Sequence, residues 1–176
     1  MQILCRIAAL VALVTPVATH AGDLNDDLIS AAQHADLAKV QTLLAQGATL
    51  DAHGDDYVTP LILGAQSDHT EVVRFLLARG ANVNFKSRLG VTALMSAARS
   101  GGLDTMEALL DHGADVDAQN ANGSTALMRA AERGREDLTN ALLQARRECE
   151  PERQTRQNCV DAGSHQRPPA NRRADP

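Results

Sequence analysis

The chain is poor in aromatic residues: no Trp, one Tyr and two Phe in 176 residues. So little ring surface leaves no platform for stacking bases. It also lacks an excess of positive charge. Seventeen Lys and Arg face 22 Asp and Glu, a formal net charge of −5. No broad electrostatic footprint for nucleic acid exists, and no nucleic-acid partner is expected. The longest apolar run falls well short of the ~20 residues that a membrane-spanning helix needs. Cysteine is scarce, and there is no Gly-x-Ser-x-Gly, His-Glu-x-x-His or phosphate loop. The expectation is a protein without enzymatic activity, cofactor or resident metal.

What is present is small and aliphatic. Apolar residues make up 44 % of the chain, mostly Ala, Leu and Val, which suits helices that approach closely. Charge is unevenly spread. Residues 22–145 hold 9 Lys and Arg against 17 Asp and Glu, a net of −8, whereas 146–176 hold 7 Arg against 5 acids, a net of +2. That shift separates a body from a tail.

The N-terminus reads as an export signal over 1–21. Arg6 precedes the apolar run Ile7 to Val14, Pro16 breaks it, and Thr19-His20-Ala21 offers a cleavage site after Ala21. An N-terminal core helix and an uncleaved anchor are the competing readings. The run shows no polar face, and Asp23, Asp26 and Asp27 follow at once, which speaks against the helix. Export implies an oxidising compartment, periplasmic or extracellular, and no stable membrane insertion after cleavage. Cys5 would leave with the signal, and Cys149 and Cys159 would remain.

The dominant signal is a period of 33 residues. Leu43-Leu44, Leu76-Leu77, Leu109-Leu110 and Leu142-Leu143 recur on it. So do Gly47-Ala48, Gly80-Ala81 and Gly113-Ala114, then Thr59, Thr92 and Thr125, then Ala65, Ala98 and Ala131. Each track has a physical reading. The Thr hydroxyls are placed to accept from an orphan N–H at a helix start. Pro60 sits where a first helical residue needs no N–H. The Ala track lets helices approach, and the Leu pairs close a second helix onto the core. The glycines end that helix in the left-handed conformation. Between repeats, 51–56, 84–90 and 117–123 are rich in turn formers and read as projecting hairpin loops.

Thr59-Pro60-Leu61, Thr92-Ala93-Leu94 and Thr125-Ala126-Leu127, with the Leu-Leu-x-x-Gly-Ala close, resemble ankyrin repeats over residues 24–145. The resemblance implies an all-α solenoid of four helix-turn-helix units, about 24–50, 51–83, 84–116 and 117–145, followed by a tail at 146–176. Ile62, Met95 and Met128 replace the family's usual His, which would weaken the polar tie between neighbours. Asp26-Asp27 stand where Thr-Pro would, so the first unit looks like a degenerate cap. Thr139 stands where Val73 and Met106 do, as suits a last unit with a wet outer face.

The resemblance also implies binding to another protein through the concave face. By position this face includes Asp55, Asp56, Val58 and Gln66, then Lys86, Arg88, Leu89, Val91 and Arg99, then Asn122, Glu132 and Arg133. These positions break the repeat symmetry that the Leu, Ala and Gly tracks keep. Scaffold positions repeat, and partner-specifying positions are free to vary. The similar exported bacterial proteins include helpers of oxidative-stress enzymes such as catalases, and immunity proteins that neutralise a toxin. A monomer is expected.

Three groups could carry other chemistry. His34, His53, His69, His112 and His165 fall at unrelated repeat positions, with His69 at the start of a second helix. Asp115 and Asp117 read as turn carboxylates rather than a metal pair. Cys149 and Cys159 are expected to form a disulfide, closing a loop worth up to roughly 3 kcal/mol. A small metal-binding protein using both cysteines and His165 is the alternative.

Overall fold

The computed structural model describes residues 21–147, with side chains from Leu24 onward. Eight helical segments follow one another in pairs, and among the described residues there is no strand. They are α1 (Ala21–Gln33), α2 (Leu37–Ala45), α3 (Pro60–Gln66), α4 (Thr70–Ala78), α5 (Ala93–Ser100), α6 (Leu103–Asp111), α7 (Ala126–Glu132) and α8, over 136–147. Residues 1–20, which hold most of the expected export signal, and 148–176, with Cys149, Cys159 and His165, lie outside the described residues.

The expected start signals act as start signals. Thr59, Thr92 and Thr125 are extended residues whose hydroxyls accept from the backbone N–H of Ile62, Met95 and Met128. Gly47, Gly80 and Gly113 close the second helices at φ 100°, 88° and 80°, a region where a Cβ would cost roughly 1–2 kcal/mol. The first unit has no Thr-Pro to begin a helix at 26–27. Its first helix therefore starts earlier and runs for 13 residues. Asp27 pairs there with Lys39 at 3.2 Å. The last helix reaches 147, past the charge shift, and Arg146 on it meets Asp117 at 3.2 Å.

The first helices α1, α3, α5 and α7 form an inner row and pack against one another more closely than the outer helices do. Small residues make this possible. Ala32, Ala65 and Ala98 are fully buried between neighbours, while Leu28, Leu61, Leu94, Leu76, Leu109 and Leu142 fill the space between rows. At roughly 25 cal/mol per Å² of apolar area, this continuous core is the main stabilising term, and no unit could supply it alone.

Polar ties cross each junction, though not at the positions of Ile62, Met95 and Met128. His69 Nε2 donates to the Gln33 carbonyl at 2.9 Å. Arg135, at the same repeat position, donates to the Gly101 carbonyl at 2.8 Å. Between them that position is Gly102, and the tie moves to Ser100, whose hydroxyl donates to the Ala65 carbonyl at 3.0 Å. The same junction holds a second set. The buried Thr105 hydroxyl donates to Asp68 at 2.7 Å and shares a 2.8 Å bond with Thr70. The bases of the hairpin loops are linked as well, by Asp51 to the Asn82 N–H and Asn84 to the Asp115 N–H. Asp115 also accepts from the Asp117 N–H, as a turn carboxylate does.

Candidate functional site

The asymmetric positions gather on one face, made by the hairpin tips and the inner row of helices. The tips are held in register by main-chain bonds: Arg88 N–H to the Asp56 carbonyl at 2.8 Å, and Ala121 N–H to the Leu89 carbonyl at 2.9 Å. Each donor and each acceptor is one period from its counterpart, so the repeat builds a ribbon of tips beside the helices. Gly90 turns at φ 71°, and a Cβ there would sit 3.0 Å from the Asn120 Cα. The tips of the third and fourth units touch closely for that reason. Within them, Ser87 and Asn120 act as clasps. The Ser87 hydroxyl accepts from Val91, and Asn120 accepts from Asn122 and Ser124.

Three adjoining recesses run along this face. One, between the first and second units, holds about 440 Å³ and is bounded by Asp26, Gln33, Asp55, Asp56 and Val58. A second lies at the tips, about 680 Å³, bounded by His53, Gly54, Asp55, Tyr57 and Arg88. A third, about 180 Å³, lies between the second and third units. Val58, Ile62, Leu89, Val91 and Met95 give its walls, with Gln66, Ser96, Arg99 and Arg129 as polar groups. Val58 borders the first and third recesses and Asp55 the first and second, so the surface is continuous.

Of the expected binding residues, Val58, Gln66, Leu89, Val91 and Arg99 come together in the third recess, and Asp55, Asp56 and Arg88 in the other two. Lys86 and Asn122 are exposed on the hairpins beside them. Glu132 and Arg133 are exposed at the end of α7 and line none of the three recesses. Leu89 is 68 % exposed, an apolar side chain held out by its tip.

Two features were missed at the sequence level. Arg129 lies on α7 one period from Ser96 and two from Leu63, so the symmetry-breaking criterion would have found it. The other is a ring cluster. His53 stacks on Tyr57 at 4.6 Å and leans on Phe85 at 5.5 Å. These rings include two of the chain's three Phe and Tyr residues. Tyr57 holds φ 55° where the next two units have Gly90 and Gly123, an arrangement unusual for a bulky residue. The stacking on His53 offsets part of that strain.

Among the described residues, no group of three His, Cys, Asp or Glu is placed to hold a metal, and no helix is long and apolar enough to cross a membrane. A family model for ankyrin repeats, in three copies, matches residues 28–120 and 88–155. None of the curated proteins matches the chain.

Proposed function

The chain belongs to the ankyrin-repeat family, whose repeats mediate binding to other proteins, and from that premise we propose that it is a non-enzymatic module that captures a partner protein on the hairpin and inner-helix face. The observation that carries this reading is the division of labour on the repeat. Repeating positions such as Leu76, Leu109, Ala65 and Ala98 are buried in the core, and Asp55, Gln66, Arg88, Leu89 and Arg99, which differ from unit to unit, line the continuous recesses.

The finer reading is an exported protein acting in the bacterial periplasm as an accessory to an oxidative-stress enzyme such as catalase. It is supported by the leader-like pattern of Arg6 and Ile7 to Val14 and by the resemblance to exported ankyrin proteins.

The test is capture from periplasmic extract with the tagged chain, compared with the double variant Asp55→Arg, Arg88→Glu. Both side chains are exposed in one recess, so thermal unfolding should be nearly unchanged while capture is lost. Capture that survives both changes sinks the assignment of the face. Recovery of a catalase supports the accessory role, and recovery of a toxin supports inhibition instead.

A further inference from the structure

The body is acidic, but its cations are not scattered at random. In the third and fourth units, Lys86 and Arg88 lie on the hairpin, Arg99 in the last turn of α5, and Arg129 and Arg133 on or just after α7. The acids of the third unit's helices, Asp104, Glu107 and Asp111, are all exposed on the outer helix α6. Among the described residues Lys86, Arg88, Arg99 and Arg133 have no carboxylate within ion-pair distance, and Arg129 reaches Glu132 at 4.0 Å. Outside these positions Lys39 pairs with Asp27, Arg135 with Asp137 and Arg146 with Asp117, and Arg79 lies over the Phe75 ring, while exposed Arg74 on the outer helix α4 and Arg147 on α8 have no ion pair among the described residues. Arg99 and Arg129 thus border an apolar recess that no Asp or Glu lines, with Lys86, Arg88 and Arg133 in the same two units and Glu132 as the one acid on α5 or α7.

We propose, building on the protein-binding reading above, that this recess and its bordering arginines take an extended acidic segment of the partner. One aliphatic side chain of that segment fills the recess against Ile62, Leu89 and Val91, and a neighbouring carboxylate is set on Arg99 and Arg129. An apolar pocket with two guanidinium groups at its edge rewards both features together. The apolar wall supplies burial and the arginines supply charge-assisted, fork-shaped hydrogen bonds to a carboxylate. The acidic recess at Asp26, Asp55 and Asp56 repels the same segment if it slides toward the first unit, which fixes its placement. Single-stranded nucleic acid would use the cations but not the aliphatic wall, and the recess offers no ring for a base.

The test is selection of a random dodecapeptide library, displayed on phage, on the full chain and on the variant Arg99→Glu, Arg129→Glu. The expected result is enrichment of peptides that place Asp or Glu beside Leu, Ile or Val, and weakening of a recovered peptide by about tenfold or more on the variant. No enrichment, a basic or uncharged consensus, or equal binding to the variant overturns the proposal. So does a labelled oligothymidine that binds more tightly than the best peptide. Should the charge-reversed variant lose its helical circular dichroism, Arg99→Gln, whose side chain is exposed, supplies the comparison at a smaller fold-change. The two readings fail separately. If Asp55→Arg, Arg88→Glu abolishes partner capture while Arg99→Glu, Arg129→Glu leaves it intact, the face stands and the acidic-segment inference falls.

Discussion

Met95 and Met128 occupy the same place one period apart, yet the first is 2 % exposed and the second 52 %. Ala98 and Ala131 differ in the same way, one fully buried and the other exposed, and Leu143 is 37 % exposed where Leu110, one period earlier, is partly buried. Sequence pattern and local conformation are shared, since Thr92 and Thr125 cap their helices alike. The difference is a neighbour. Among the described residues the third unit is covered on both sides and the fourth on one. The fourth unit adapts partly, with Glu136, Thr139 and Asn140 on α8, and Thr139 returns its hydroxyl to the Arg135 carbonyl. It still anchors itself inward through Leu138 and Leu142, both fully buried. In a stack where each unit touches only its neighbours, the position of a residue along the array decides its energetic weight as much as its identity does.

The largest break in that comparison should come from the core. Leu109→Ala is expected to cost roughly 2–5 kcal/mol in urea unfolding, and Leu143→Ala about 1 kcal/mol or less, because its partly exposed side chain leaves little cavity. Equal losses would mean that the fourth unit is covered after all.

Next comes the junction between the second and third units. A methyl group at Gly102 would overlap the Asp68 carboxylate, which must then leave the buried Thr105 hydroxyl. Gly102→Ala should cost about 1–3 kcal/mol, and Gly102→Ala combined with Asp68→Ala should cost less than the sum of the two. Additive losses would detach Asp68 from the effect.

The caps sharpen the same contrast at lower amplitude. Thr92→Ala should lower stability by ~1 kcal/mol, and Thr125→Ala by less, since Thr92 is 2 % exposed and Thr125 is half-buried. A larger loss at Thr125 would reverse the ranking.

The smallest effect is electrostatic. Hydrogen bonds from the Arg135 side chain, helped by the Leu138 N–H, hold the Asp137 carboxyl below the usual carboxylate range. A lowered folded-state pKa gives stability that is complete above the ordinary carboxylate value, about 3.9, and fades as acid protonates the group. The acid side of the unfolding curve for Asp137→Asn should therefore be slightly flatter than for the parent chain, with no difference in slope near neutrality. An exposed carboxylate such as this contributes little, so a large change would point to a wider network.

How much of this was readable beforehand depends on the range of the interaction. The capping threonines, Pro60 and the closing glycines act within a few residues of themselves, and every one is visible in the spacing. The candidate face was half visible. Leu89 and Arg99 differ from their counterparts in both neighbouring units, and Val58 and Val91 give way to Ser124, so the spacing exposes them. Arg129 differs from Ser96 and Leu63 as well, whereas Glu132 and Arg133 vary between units but line none of the three recesses. The His53, Tyr57 and Phe85 cluster spans two hairpins, and no local pattern announces it.

The sequence by itself determined the unit, its period, its helix starts and stops, and the division between repeating scaffold and variable surface. These follow from local backbone chemistry and from an apolar face that must be buried. Tertiary structure alone decided which of two equivalent methionines is covered. It also decided that Ser100 and Asp68 replace the junction contact absent at Gly102, and that Arg99 and Arg129, 30 residues apart, line one recess. Each of these depends on which surface the next unit presents, and stacking, not spacing, settles that.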